Sequence, residues 1–217
     1  MQGRIVLAGG GNERDSRPID EVFASWLAPH QKILYLPLAL RGIRPLEECL
    51  NWIRATFLPL KITNISMWAD FSGHQADELF EFSAIYIGGG NTYSLLAQCL
   101  ESGFDRHLME YTANSGISYG GSAGAALLGK DIRTVSHIDH NYIGLTATKG
   151  LNLANGHSVW VHYKPQDDEL IIQHQNQHHQ TVLAISEKAG VILDDSGLYS
   201  AGFESAYLFD ERGKRPI

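Results

Sequence analysis

A serine stands at a glycine-rich turn in the middle of the chain. Residues 120–124 read Gly-Gly-Ser-Ala-Gly and fit the pattern G-x-S-x-G, with Ser122 at the centre. In hydrolases with this pattern, the serine lies on a sharp turn between a strand and a helix, where its hydroxyl is exposed and the next backbone N–H can stabilise an oxyanion. The same residues also suit a serine that caps a helix beginning at Ala123. The pattern alone leaves both interpretations of Ser122 open.

A second glycine-rich turn follows the apolar run 84–87. Its three consecutive glycines, residues 88–90, expose backbone N–H groups that could donate to an oxyanion or hold a phosphate, and Asn91 or Thr92 can cap a following helix. Nucleotide binding is less favoured, because the pattern G-x-G-x-x-G is absent and no Walker lysine follows. A glycine turn that only allows close packing is the structural alternative.

Several histidines raise the question of a metal site. His137, Asp139 and His140 form the pattern H-x-D-H, and His174 and His178 stand four residues apart. Two histidines at this spacing could share one face of a helix and bind a metal. Glutamine and asparagine surround that pair, which is typical of a solvated face. We therefore expect neither a metal nor a cofactor.

Apolar segments and segments with helical spacing alternate through the first two thirds of the chain. The predicted strands are 4–8, 32–38, 62–67, 84–87 and 116–119, and the predicted helices are 20–27, 45–57, 75–82, 92–101 and 104–113. Short β-rich segments follow residue 128, with one helix near 166–177. Strands that are apolar throughout and are separated by helices predict a parallel sheet covered on both faces, with its ligand site at the carboxyl ends of the strands. The interpretation is one α/β domain over residues 1–217.

Composition excludes several classes of function. The 217 residues carry a formal net charge of −7 and no basic run, which argues against a nucleic-acid surface. No stretch reaches the roughly 20 apolar residues of a membrane span, and the N-terminus lacks the features of a signal peptide. Cys49 and Cys99 are expected to be reduced packing residues. A cytoplasmic monomer or homodimer is the expectation.

Three segments together resemble a known family. IGGGNTYSLL at 87–96, YGGSAGA at 119–125 and WVHY at 160–163 are similar to the peptidase E (aspartyl dipeptidase) and cyanophycinase family of serine peptidases. The resemblance covers nearly the whole chain. It implies a flavodoxin-like three-layer αβα sandwich, similar to class I glutamine amidotransferases, with a mostly parallel central sheet and a β-rich C-terminal part.

The resemblance also implies roles for individual residues. The nucleophile of the family falls on Ser122 and its general base on His162, and the oxyanion hole would use the N–H groups of Ala123 and Gly90. His157 is the rival for the base. The remaining positions of the glycine turn, expected to bind substrate, are Gly89, Asn91 and Thr92.

The third catalytic residue departs from the family pattern. An ungapped alignment after Ser122 puts the aspartate of the family on His137, and an imidazole cannot stabilise an imidazolium as a carboxylate does. We expect Asp139, two residues on, to orient His162, with Glu187 as the second choice. A dyad assisted by water or a backbone carbonyl is the further alternative.

Substrate and activity follow from these assignments. The expectation is a serine hydrolase that cleaves dipeptides or other small peptides through an acyl-enzyme. No arginine lies between Arg133 and Arg212, so a preference for an N-terminal aspartate is not expected. Two other classes remain. An α/β-hydrolase esterase shares the motif, although 40 positions between Ser122 and His162 leave little room for its further strand–helix units, and a non-catalytic binding protein could keep the turn without a complete triad.

Overall fold

Short apolar strands form the centre of the molecule. In the computed structural model, which describes residues 3–217, the eleven strands are β1 Arg4–Ala8, β2 Ile33–Leu36, β3 Ile65–Met67, β4 Ala84–Ile87, β5 Ile117–Gly121, β6 Ser158–Trp160, β7 Val182–Ala184, β8 Ala189–Asp194, β9 Gly197–Gly202, β10 Tyr207–Asp210 and β11 Gly213–Pro216. The α-helices of the same residues are α1 Arg17–Ser25, α2 Leu46–Phe57, α3 Thr92–Ser102, α4 Phe104–Ala113, α5 Ala123–Leu128 and α6 Asp168–His178.

Seven strands form the main sheet, in the order β3-β2-β4-β5-β1-β8-β9. The first five are parallel, and β8 and β9 add an antiparallel hairpin beside β1. Strands β2 and β4 are buried along their whole length, as their sequences ILYL and AIYI predict for strands covered on both faces. The main sheet is therefore mostly parallel.

Helices cover both faces of the main sheet. Apolar residues of α1 and α2, among them Phe23, Ile53 and Phe57, pack with one face of the strands. Residues of α3, α4 and α5 pack on the other face, in a larger core that includes Leu95, Leu108 and the whole of α5. The three-layer αβα sandwich expected from the resemblance is confirmed.

A smaller sheet forms the β-rich C-terminal part. Its order is β11-β10-β7-β6, with β6 and β7 parallel and the other pairs antiparallel. Alternate residues divide between two cores: Val159 and Leu183 belong to the larger core of the main sheet, whereas Trp160 and Val182 pack with Ile171 of α6. The smaller sheet is thus held between the main core and α6.

The register places three glycine-rich turns at one edge of the main sheet. Ala8 at the end of β1 lies opposite Gly121 of β5, and Ile87 at the end of β4 lies opposite Gly120. The carboxyl ends of these three neighbouring strands, and the turns that follow them, are therefore adjacent. This is the edge at which parallel α/β sheets bind ligands.

Several predicted elements have other bounds in the structure. The predicted strand 62–67 begins only at Ile65, and the predicted helix 20–27 is Arg17–Ser25. The predicted strand 32–38 ends at Leu36, because the chain turns at Pro37 into a short 3₁₀ helix, Leu38–Leu40. The predicted helix 75–82 is a 3₁₀ helix, Ala76–Glu81, the tighter form that proteins use in short segments. The assignment of residues 1–217 to one domain stays a prediction.

Candidate active site

Ser122 lies on a strained turn between β5 and α5. Its φ of 49° and ψ of −108° are unusual for a residue with a side chain. Its side chain makes no capping bond to α5, and its Oγ lies 2.8 Å from Nε2 of His162. The hydroxyl is thus directed to an imidazole, which favours the nucleophile over the helix cap.

The elements around Ser122 fix this turn from both sides. The Ser122 N–H donates to the carbonyl of Ala8 over 3.0 Å, which ties the turn to the end of β1. Helix α5 behind it is fully buried, and a Cβ on its Gly124 would collide with the carbonyl of Ile87. The small residues of the motif therefore let α5 pack directly against β4, so that the hydroxyl stands at the sheet edge.

His162 reaches the serine from the smaller sheet. It follows β6, adopts a φ of 53°, and its N–H donates to the carbonyl of Gly9 over 2.9 Å. Its ring lies against Gly10, which has a φ of 108° and where a Cβ would collide with the imidazole. The absence of a side chain at Gly10, in the turn after β1, therefore leaves room for the His162 ring.

Glu187 completes a line of three side chains. Its Oε1 lies 3.0 Å from Nδ1 of His162, on the connection between β7 and β8. A carboxylate can only accept a hydrogen bond, so Nδ1 carries the proton and Nε2 is left to accept from the Ser122 hydroxyl. The Glu187 side chain is 53% exposed and that of His162 30%, so solvent screens this pair in part.

Asp139 does not contact His162, so the prediction of a hydrogen bond between these two residues is wrong. Its carboxylate accepts from the N–H of Thr92 over 2.7 Å, at the start of α3. The loop after α5 brings residue 139 to the glycine turn that follows β4, away from the Nδ1 side of the imidazole. The second choice of the sequence analysis, Glu187, is the residue in contact with His162.

Asn91 and Thr92 lie at the start of α3 and make hydrogen bonds within the protein. The Asn91 Oδ1 accepts from the N–H of Ser94 and caps α3, while its Nδ2 donates to the carbonyl of His140. Thr92 is fully buried. Gly89 and Gly90 line the cavity beside Ser122, whereas Asn91 and Thr92 do not, and contact of these residues with substrate stays a prediction.

The other histidines of the sequence analysis lie elsewhere. His157 bonds to Thr181, and His137 stacks on Trp160 with ring centroids 4.1 Å apart. Partial burial lowers the pKa of His137. Nδ1 of His178 lies 3.0 Å from the Arg133 guanidinium. Within residues 3–217, no three His, Cys, Asp or Glu side chains form a group that could hold a metal ion.

Three backbone N–H groups close to Ser122, those of Gly89, Gly90 and Ala123, are without hydrogen-bond partners among residues 3–217. A Cβ built on Gly89 would lie 3.3 Å from Cβ of Ser122, so this turn and the serine are in close contact. The arrangement could stabilise an oxyanion formed at a carbonyl that Ser122 attacks.

A cavity of about 430 Å³ opens beside these groups. Its walls are the turns after β1, β4 and β5 on one side, the rings of Tyr35 and Tyr86 at the ends of their strands, and the first half of α2 on the other side. Leu40 and Arg44, which precede α2, complete this wall together with Glu48, Cys49 and Trp52 of α2. The volume suits a small organic ligand such as a short peptide.

Burial keeps the groups between the strands and α2 uncharged. It raises the pKa of the Tyr35 and Tyr86 hydroxyls and of the Cys49 thiol above their ordinary values. The fixed charges of the cavity therefore come from Arg44 and Glu48. This wall was not predicted from the sequence, although Glu48, Cys49 and Trp52 have the spacing of one helical face.

The comparisons with known proteins identify the family of this chain. The family model described as Peptidase family S51 matches residues 5–200. The chain belongs to this family. It is therefore a peptidase, and the family predicted from the three sequence segments is confirmed.

Individual relatives carry related names. The chain is 28% identical over 181 residues to the "Uncharacterized peptidase YgaJ" of Bacillus subtilis (strain 168), covering 79% of this chain and 74% of that protein. Its fold is similar to that of a "Putative Peptidase E Protein" from Listeria monocytogenes EGD-e, with a TM-score of 0.72, 18% identity and coverage of 94% of this chain and 100% of that one. A peptidase from an acI-B1 Actinobacterium gives a TM-score of 0.76 at 15% identity, covering 100% and 94%. The last two similarities concern the fold alone.

None of the helices in residues 3–217 is both long enough and apolar enough to span a membrane.

Proposed function

We propose that this S51 peptidase is a serine hydrolase that cleaves dipeptides or other short peptides through an acyl-enzyme on Ser122. The observation that carries the proposal is the line of hydrogen bonds from Ser122 Oγ through His162 to Glu187, of 2.8 and 3.0 Å. A serine, a base and a group that orients the base are the parts that nucleophilic acyl transfer needs.

The reaction follows from the hydrogen-bond roles. Nε2 of His162 takes the hydroxyl proton while Oγ of Ser122 attacks the peptide carbonyl, and Glu187 stabilises the resulting imidazolium. The N–H groups of Ala123 and of Gly90 or its neighbour Gly89 donate to the oxyanion. The imidazolium then gives its proton to the leaving amine, and water hydrolyses the acyl-enzyme by the same steps.

A fluorophosphonate probe tests the nucleophile directly. We expect stoichiometric labelling of the wild type and none of Ser122→Ala, whose turnover of a dipeptide library should fall by a factor of about 10⁴ or more. Ser196→Ala, at an exposed position away from the cavity, is the matched control and should label normally. A wild type that is folded but neither labelled nor active would point to a binding protein. Hydrolysis of p-nitrophenyl esters without any turnover of peptides would point to an esterase.

A further inference from the structure

The wall of the cavity opposite Ser122 carries two charges of opposite sign. Arg44 precedes α2 and Glu48 lies in its first turn, and both line the cavity that contains Ser122 and His162. Neither side chain has an ion-pair or hydrogen-bond partner within residues 3–217. The cavity therefore offers one free cation and one free anion to a ligand.

The remaining surface of this wall is aromatic and rigid. The rings of Tyr35, Trp52 and Tyr86 contact one another, with centroids 5.7 to 6.4 Å apart. Tyr35 and Tyr86 are almost completely buried, whereas Trp52 is 38% exposed. Trp52 is therefore the ring that can contact an uncharged side chain of a ligand. Arg44 and Glu48, which are both exposed, are the groups that can distinguish charged parts of a ligand.

A ligand with both a free ammonium and a free carboxylate matches these two groups. Every unblocked dipeptide carries this pair of charges, one at each end. Two extended residues span at most about 7 Å, so both ends of a dipeptide can lie in the cavity at once. A longer extended peptide separates its two charged ends by about 3.3–3.6 Å more per additional residue, and a blocked dipeptide lacks one of the charges.

We propose that Arg44 and Glu48 make this protein selective for free dipeptides, with Arg44 binding the terminal carboxylate and Glu48 the terminal ammonium. This inference rests on the proposed function, since it concerns the substrate of the Ser122 site. Contacts to the two termini remain the same before and during attack on the carbonyl, so they act mainly on KM rather than on kcat.

The test combines variants with blocked substrates. It uses the best-cleaved dipeptide with uncharged side chains from the library, its C-terminal amide and its N-acetyl derivative. For the wild type, each block should raise KM by about 10- to 100-fold, as expected for loss of a charge-assisted hydrogen bond. Arg44→Gln should lose the discrimination between free dipeptide and amide and keep that against the N-acetyl form. Glu48→Gln should show the opposite pattern.

Matched controls are available on the same helix. Arg54→Gln and Glu47→Gln make the same chemical changes at α2 positions that do not line the cavity, and both should discriminate like the wild type. A wild type that cleaves the amide, the N-acetyl form and tripeptides as well as the free dipeptide would overturn the inference.

Other outcomes would also contradict the selectivity for termini. If Arg44 and Glu48 only pair with each other, either variant will change KM for the free and blocked substrates by the same factor. If Arg44 binds an acidic side chain, the effect of Arg44→Gln will appear with aspartyl peptides only, amidated or not. Fluorophosphonate labelling separates the two proposals: a wild type labelled at Ser122 without selectivity for free termini refutes this inference alone, whereas absence of labelling refutes the proposed function.

Discussion

At the scale of single residues, the structure differs from the expectation in the carboxylate that contacts His162, which is that of Glu187 in place of Asp139. We predict that Glu187→Gln lowers kcat for peptides by about 10- to 100-fold. This is less than the roughly 10⁴-fold loss known for a buried triad aspartate, because Glu187 is half exposed and solvent shares its role. Glu187→Asp, which keeps the charge, should lose less. Steady-state kinetics of the three proteins measure the effect, and equal activities would show that Glu187 does not assist the base.

Asp139→Asn is the contrasting change. Because Asp139 accepts from the Thr92 N–H at the start of α3, its loss should reduce the free energy of unfolding by about 1 kcal/mol, measured in urea. We expect kcat to change by less than about threefold. A loss of activity larger than that of Glu187→Gln would restore the assignment made from the sequence.

The sequence could not decide between these two carboxylates for a physical reason. Ser122 and the glycine turns belong to strand ends, whose position follows from the parallel sheet that hydrophobic patterns predict. Asp139 and Glu187 lie in irregular connections, where no periodicity specifies direction. The ungapped alignment with the family favoured Asp139, which lies two residues after the aligned His137, whereas in space the segment leading into β8 passes the imidazole.

At the scale of elements, the turn after β1 positions the base. Gly10 has a φ of 108°, and a Cβ there would collide with the ring of His162. We predict that Gly10→Ala lowers kcat, and the rate of fluorophosphonate labelling, by at least about 100-fold, because the imidazole is displaced from Ser122.

Gly73→Ala provides the control for backbone strain. Gly73 also has a positive φ, of 76°, but open space surrounds its Cβ position. The variant should lose about 1 kcal/mol of stability and keep its activity. If Gly10→Ala stays as active as Gly73→Ala, the contact with His162 does not position the base.

At this scale, the cavity wall formed by α2 is a second feature that could not be predicted from the sequence. Its helical spacing predicts the element within one residue at its start, Leu46 in place of residue 45, and the end at Phe57 is the same. Which half of the helix covers the core and which half faces a cavity depends on how far β2 and β4 extend beneath it. That is a property of packing between elements, and no local pattern carries it.

At the scale of the whole molecule, a buried carboxylate links stability to pH. Asp20 on α1 is 1% exposed and accepts hydrogen bonds from the hydroxyls of Tyr119 and Ser16. Burial raises its pKa from 3.8 to about 6. The folded protein therefore holds a proton that the unfolded chain releases near pH 4, so this stabilising contribution is complete below pH 4 and is lost as the pH rises through 6.

We predict that the difference in unfolding free energy between the wild type and Asp20→Asn changes by up to about 3 kcal/mol between pH 4 and pH 7, with the wild type losing stability relative to the variant. The pKa of His174, which burial lowers to about 4, has the opposite effect on stability but is common to both proteins. Urea unfolding at several pH values measures the difference, with Asp195→Asn, at an exposed position, as control. A difference that is independent of pH would contradict this assignment.

The antiparallel strand β8 sets the order in which the site can be completed during synthesis. It pairs with β1 in the register Ala8 opposite Gly190, and this pairing holds the preceding segment, with Glu187, next to His162. A nascent chain on the ribosome already contains Ser122 and His162 while this segment is still missing. The line of hydrogen bonds from Ser122 through His162 to Glu187 can therefore form only after the segment that leads into β8 has been synthesised and β8 has paired with β1.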